Sequence, residues 1–164
     1  MLILGIDPGL ATVGYGLIAC NQRDKEMVDC GIIKTEKGKS EGERMTEIAK
    51  DLRYLIRKWK PELASVEKFF FYKSSTTINV VQARGVIIMT LARFKIPIVE
   101  FPPMQIKLAV TGYGKATKTD VIAGVSRELD LSKPPRPDDA ADALAIALTA
   151  YYHYQNRQMI SNKT

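Results

Sequence analysis

The stretch LILGIDPGLATVGYG, residues 2–16, decides how the rest of the chain is read. Leu2 to Ile6 is an apolar run of strand length, Asp7-Pro8-Gly9 is turn chemistry, and an apolar, glycine-containing run resumes at Thr12 and ends at Cys20. Proline presets φ, glycine tolerates positive φ, and aspartate accepts hydrogen bonds from the amides that follow it, so a reversal into a second strand accounts for the turn unaided. Whether Asp7 is more than a turn residue depends on which other acids the chain brings to it.

Outward from this hairpin, VDCGIIKT at 28–35 continues the meander as a third strand. SEGERMTEIAKDLRYLIRKWK then spaces Met45, Ile48, Ala49, Leu52, Leu55, Ile56 and Trp59 along one helical face, with Ser40 and Glu43 in a capping-box pattern. ELASVE at 62–67 is a short strand, followed by a helix from about Ser75 to Phe94, a strand IPIVEF at 96–101, and a short helix after Pro102-Pro103. The loop TGYGKATK at 111–118 leads to a helix around TDVIAGVSRELD, and LSKPPRP separates that helix from a last one, DDAADALAIALTAYYHY at 138–154. The class is α/β: a five-stranded mixed sheet, with a three-strand antiparallel meander and two parallel strands, flanked by helices. Residues 1–154 read as one domain and the polar residues 155–164 as a frayed tail.

Composition narrows the chemistry. Of 164 residues, 24 are Lys or Arg and 18 Asp or Glu; the net charge of +6 favours an anionic partner. Two cysteines outside any metal-finger spacing and a single histidine, His153, give poor support to a zinc site or a Ser-His-Asp triad. The start has neither a charged leader nor a cleavage site, and no apolar run reaches the ~20 residues that span a bilayer, so a cytoplasmic location is expected.

The carboxylates carry the functional reading. Pairing the first strand with the one ending at Glu67 puts Asp7 and Glu67 at the same sheet edge, beyond the carboxyl ends of parallel strands, where open α/β sheets place ligands. In RPDDAADALAIAL, Asp139 and Asp142 lie three apart and share a helical face. A helix start explains Asp138, but Asp142 lies a full turn into an apolar helix, where a carboxylate needs a cation or a donor. Several carboxylates from separate segments, without histidine or thiolate, match Mg²⁺ or Mn²⁺. A pair of such ions hydrolyses phosphodiesters with the carboxylates as ligands.

GIDPG with the following GYG, then VEKFFF, QARG and DDAADALAIA, in that order along nearly the whole chain, resemble the RuvC family of Holliday junction resolvases. The resemblance implies a ribonuclease H-like fold, a homodimer, and Mg²⁺-dependent nicking of two opposed strands of a four-way DNA junction during recombination and repair. Two ions per subunit, with Mn²⁺ as a substitute, fall to Asp7, Glu67, Asp139 and Asp142. Asp7 bridges them, and the products end in 5′-phosphate and 3′-hydroxyl. Asp138 also shares a face with Asp142, so the register of this acid stays open between Asp138 and Asp139; Asp139 is preferred, with Asp138 as the cap. A RuvAB-like branch-migration complex is a further implied partner.

For the DNA, Lys115 and Lys118 sit beside glycines that let backbone amides approach a phosphate, and Lys118 is near a helix start, where a cation is disfavoured unless it serves an anion. Lys107 matches a basic position of the family, as Phe70, within the aromatic run Phe69 to Tyr72, matches a base-stacking one. Arg84 stands in an apolar helix, either for DNA or for an internal partner. That helix leaves little of its circumference polar, which leaves open burial in the core or self-association. The rival readings are a ribonuclease H-type enzyme on RNA–DNA hybrids, a non-catalytic junction-binding module, and a nucleotide-binding ATPase subdomain. The aromatic run and the apolar helix argue against the first, and the lack of a second lobe against the last.

Overall fold

A computed structural model of the chain describes residues 1–68 and 75–161. The strands are β1 (Leu2–Asp7), β2 (Thr12–Cys20), β3 (Lys25–Lys34), β4 (Leu63–Glu67) and β5 (Ile98–Phe101). They form one sheet in the order β3-β2-β1-β4-β5, antiparallel from β3 to β1 and parallel from β1 to β5. This is the expected meander with two parallel additions. The helices are α1 (Glu41–Trp59), α2 (Ser75–Arg93), α3 (Pro103–Thr111), α4 (Lys118–Glu128) and α5 (Asp138–Ser161). None of them is long and apolar enough to cross a membrane.

Strand alternation divides the core in two. Leu4, Ile6, Leu17, Ala64 and Val66 face α1 and α2, where Ile48, Leu52, Ala83, Ile87 and Leu91 are buried against them. Ile3, Ile18, Leu63 and Phe101 face the other way, onto Ile106 and Val110 of α3, Val121 and Val125 of α4, and Leu144 and Leu148 of α5. The Ser40–Glu43 capping box is present on α1: each side chain bonds the other residue's backbone amide. A second box, Thr117 with Asp120, starts α4 at Lys118.

Three elements differ from their expected extents. β3 begins at Lys25 because its polar first residues lie on the sheet edge, where pairing with β2 does not require burial. β5 starts at Ile98 rather than Ile96. α5 runs past Tyr154 to Ser161, and the Gln155 side chain donates to the Asn21 and Gln22 carbonyls.

α2 buries one apolar face in the core and leaves a second exposed. Ala83, Ile87 and Leu91 are fully buried, while Ile78, Val81 and Met89 are exposed on the opposite side. The exposed set, with Gly85 among it, falls at helical spacing along one stripe.

Candidate metal and nucleic-acid site

Strand alternation also aims the acids. Ile3, Gly5 and Asp7 of β1 point to one face, as do Leu63, Ser65 and Glu67 of β4, and that face is covered by α5. Parallel pairing of Ile6 with Val66 brings Asp7 and Glu67 to the carboxyl ends of adjacent strands. α5 lies almost in contact with the sheet because the residues beneath it lack side chains. A Cβ on Gly5 would fall 2.0 Å from the Ala143 carbonyl oxygen, and one on Gly14 would fall 2.1 Å from that of Asp139. The buried Ser65 hydroxyl donates to the Ile146 carbonyl at 2.9 Å and pins the helix to β4. These contacts bring the first turn of α5 over the end of β1.

In consequence, one carboxylate oxygen each from Asp7, Asp139 and Asp142 lie within 4.8 Å of one another. Glu67 joins them by accepting a hydrogen bond from the Asp7 carboxyl. Burial first, and then the charges of Glu67, Asp142 and Asp139, push Asp7 up to about 8. Burial likewise raises Glu67, although Lys107 and the bond from Asp7 oppose it. Asp142 is raised by burial against the lowering contact of Lys118. Three acids held in unfavourable ionisation states at one point form a site short of positive charge. The converging donors are all carboxylate oxygens, a set that suits a hard divalent cation.

Asp138, expected to cap α5, is the first helical residue, and its carboxylate is taken by Arg136 Nη1 at 3.1 Å. The converging group therefore contains Asp139 rather than Asp138.

The cluster opens into a cleft of about 250 Å³ lined by Asp7, Glu67 and Asp142 together with Lys107 of α3 and Lys118 of α4. Lys118 Nζ is 3.1 Å from Asp142 and 3.9 Å from Asp138. Lys115 is exposed on the α3–α4 loop. Phe70 and its aromatic neighbours fall outside the described residues. Arg84 is ion-paired with Glu100 of β5, the second of its two expected alternatives, and its Nε is buried with no hydrogen-bond partner among the described residues.

Two features had no part in the sequence reading: the close approach at Gly5 and Gly14, and the Ser65 anchor. For Gly5 and Ser65 the signal is a small or polar residue two positions before a strand-end acid, on the same strand face; Gly14 is the residue paired with Asp7 across the hairpin.

The family model described as crossover junction endodeoxyribonuclease RuvC matches residues 3–150. A crossover junction endodeoxyribonuclease RuvC of Prochlorococcus marinus (strain MIT 9211) is 77% identical over 152 residues, covering 93% of this chain and 96% of the relative. The structure of Thermus thermophilus RuvC superposes with a TM-score of 0.86 at 32% identity, covering 95% of this chain and 97% of that one. The same organism's RuvC in complex with Holliday junction substrate superposes at 0.88, again at 32% identity, over 94% and 95% of the two chains. The fold is thus ribonuclease H-like, and the chain belongs to the RuvC family of crossover junction endodeoxyribonucleases.

Proposed function

We propose that this chain, acting as a single nuclease domain to Tyr154, resolves four-way DNA junctions by hydrolysing one phosphodiester in each of two opposed strands. The observation that carries the proposal is the convergence of Asp7, Asp139 and Asp142 with Glu67 at the mouth of a lysine-lined cleft. Asp7, Glu67, Asp139 and Asp142 would hold two Mg²⁺ ions, or Mn²⁺ in their place. When bound, such ions polarise a phosphodiester and acidify an attacking water. Asp7 and Glu67, set on adjacent strands, and Asp139 and Asp142, set on a helix pressed to the sheet, fix the ligand oxygens in advance of binding. Lys107 lines the same cleft as these acids, where a phosphate enters. Cleavage leaves 5′-phosphate and 3′-hydroxyl ends.

Lys115 and Lys118 extend this basic rim to the duplex arms, and Phe70 stacks on a base at the junction centre, where stacking is worth ~1–3 kcal/mol. A second copy of the chain docks on the α2 stripe of Ile78, Val81, Gly85 and Met89, giving two identical sites related by a two-fold axis. Symmetric sites suit a substrate in which both opposed strands are cut. A RuvAB-like motor delivers the junction, and the reaction takes place in the cytoplasm.

The test is a synthetic four-way junction incubated with the wild type and with Asp7→Asn, in Mg²⁺ and in chelator. Retained binding with loss of nicking in the variant is the expected result; binding without cutting by the wild type would favour a non-catalytic junction binder.

A further inference from the structure

Lys118 is the one basic residue of the cleft whose contacts point away from the role expected for it. It lines the cleft, but its ammonium is engaged by acids rather than free for a phosphate, lying 3.1 Å from Asp142 Oδ2 and 3.9 Å from Asp138 Oδ2. Its position is built rather than incidental. The Thr117–Asp120 capping box fixes the start of α4, so Lys118 is the first helical residue, where the macrodipole disfavours a cation. What holds it there is the surplus of carboxylate: burial acts to lower its proton affinity, but the bond to Asp142 and the charges of Asp142, Asp138 and Asp139 outweigh that and raise it.

Asp142 therefore has two claimants. Its carboxylate belongs to the converging trio that suits a divalent ion, and it is also the lysine's nearest partner. An ion on an Asp142 oxygen, at the ~2.1 Å typical of Mg²⁺, would face the ammonium at close range with twice its charge. The side chain can yield, because it is 51% exposed and sits on a flexible four-carbon stem. The nearest anion outside the acid cluster is then the phosphate of a bound strand.

We propose that Lys118 is the resident counter-cation of the acid cluster, displaced by the divalent ion and thereby delivered to the substrate phosphate. Metal loading and DNA binding are then coupled through one side chain, and the coupling is reciprocal: DNA that captures Lys118 also tightens metal binding. This rests on the reading above that the acids hold metal.

The test is Mn²⁺ binding to the DNA-free protein, followed by electron paramagnetic resonance of free Mn²⁺, for the wild type, Lys118→Met, Lys107→Met and Asp7→Asn. Lys118→Met binds Mn²⁺ ~tenfold more tightly than wild type, the scale of one nearby partly solvated charge. Lys107→Met, which removes a lysine with no carboxylate ion pair among the described residues, shifts the affinity less. Lys118→Arg, which keeps the charge, stays near wild type. Lys118→Gln repeats the Met result should the apolar side chain disturb the loop. Unchanged or weaker Mn²⁺ binding in both neutral variants would overturn the counter-cation role while leaving the metal site in place. A wild type with no Mn²⁺ binding that Asp7→Asn removes would instead overturn the metal reading itself.

Discussion

Replacing Asp7 by asparagine stabilises the metal-free protein, and does so more as the pH rises. The carboxyl of Asp7 is raised from an ordinary 3.8 to about 8, first by burial and then by Glu67, Asp142 and Asp139. A group whose folded proton affinity exceeds its unfolded one contributes stability that is complete below the unfolded value and is lost as pH climbs through the folded value. The window is therefore pH 4 to 8. At ~1.4 kcal/mol for each tenfold change in proton affinity, the ceiling on the loss is about 6 kcal/mol. Because Asp7 shares its proton with Glu67 and keeps partial contact with solvent, about half of that, ~2–3 kcal/mol, is the expected effect. Urea unfolding of wild type and Asp7→Asn in chelator, at intervals from pH 5 to 9, reads this directly: the variant's advantage grows toward high pH. Mg²⁺ then raises the stability of the wild type and leaves the variant almost unmoved. Parallel stability curves for the two proteins across this range would refute the claim that the cluster is an electrostatically strained cation site.

Three further predictions concern the supports of the site. Gly5→Ala places a methyl 2.0 Å from the Ala143 carbonyl oxygen, so it costs about 3 kcal/mol in urea unfolding and loosens the acid cluster, seen as weaker Mn²⁺ binding in whatever fraction remains folded. Met89→Glu charges the α2 stripe proposed above as the dimer surface; in analytical ultracentrifugation the wild type sediments as a dimer and the variant as a monomer with native far-ultraviolet circular dichroism, whereas a variant dimer would place the interface elsewhere and a monomeric wild type would overturn the proposed dimer. Arg84→Met removes the partner of Glu100 and lowers stability by ~1–3 kcal/mol, with junction affinity retained in the folded fraction; weakened affinity at unchanged stability would instead make Arg84 a DNA contact.

Much of this arrangement was legible in the sequence because it follows from periodicity and from caps. α1 was readable from its apolar spacing and from Ser40 with Glu43, and both ends of the capping box are formed. Asp142 could be singled out because it is an acid inside an apolar helix turn, where local structure offers it no sufficient use; Asp7 and Glu67, each explicable locally at a strand end, could be singled out only together with it. The start of β3 was not legible, since an edge strand can be polar on either face and leaves no hydrophobic signature. That Asp139 rather than Asp138 converges with Asp7 and Asp142 follows from how α5 sits over the sheet, which residue spacing alone leaves open. Arg84 with Glu100 and Lys118 with Asp142 are pairings between distant segments. No local pattern encodes such a pairing; it exists only once the sheet order has brought α2 to β5 and α4 to α5. The closeness of α5 to the sheet was written in Gly5 and Gly14, but a glycine in a strand reads equally as a bulge or a turn until the helix above it is known.

The most direct test of the central claim is strand-by-strand product mapping on a four-way junction labelled on each strand in turn, with Mg²⁺ or with chelator, for wild type and Asp142→Asn. The account predicts nicks at matching positions in two opposed strands, 5′-phosphate ends that ligate without further treatment, and loss of both nicks in chelator and in the variant. Cutting that survives chelation or the Asp142 substitution would contradict it.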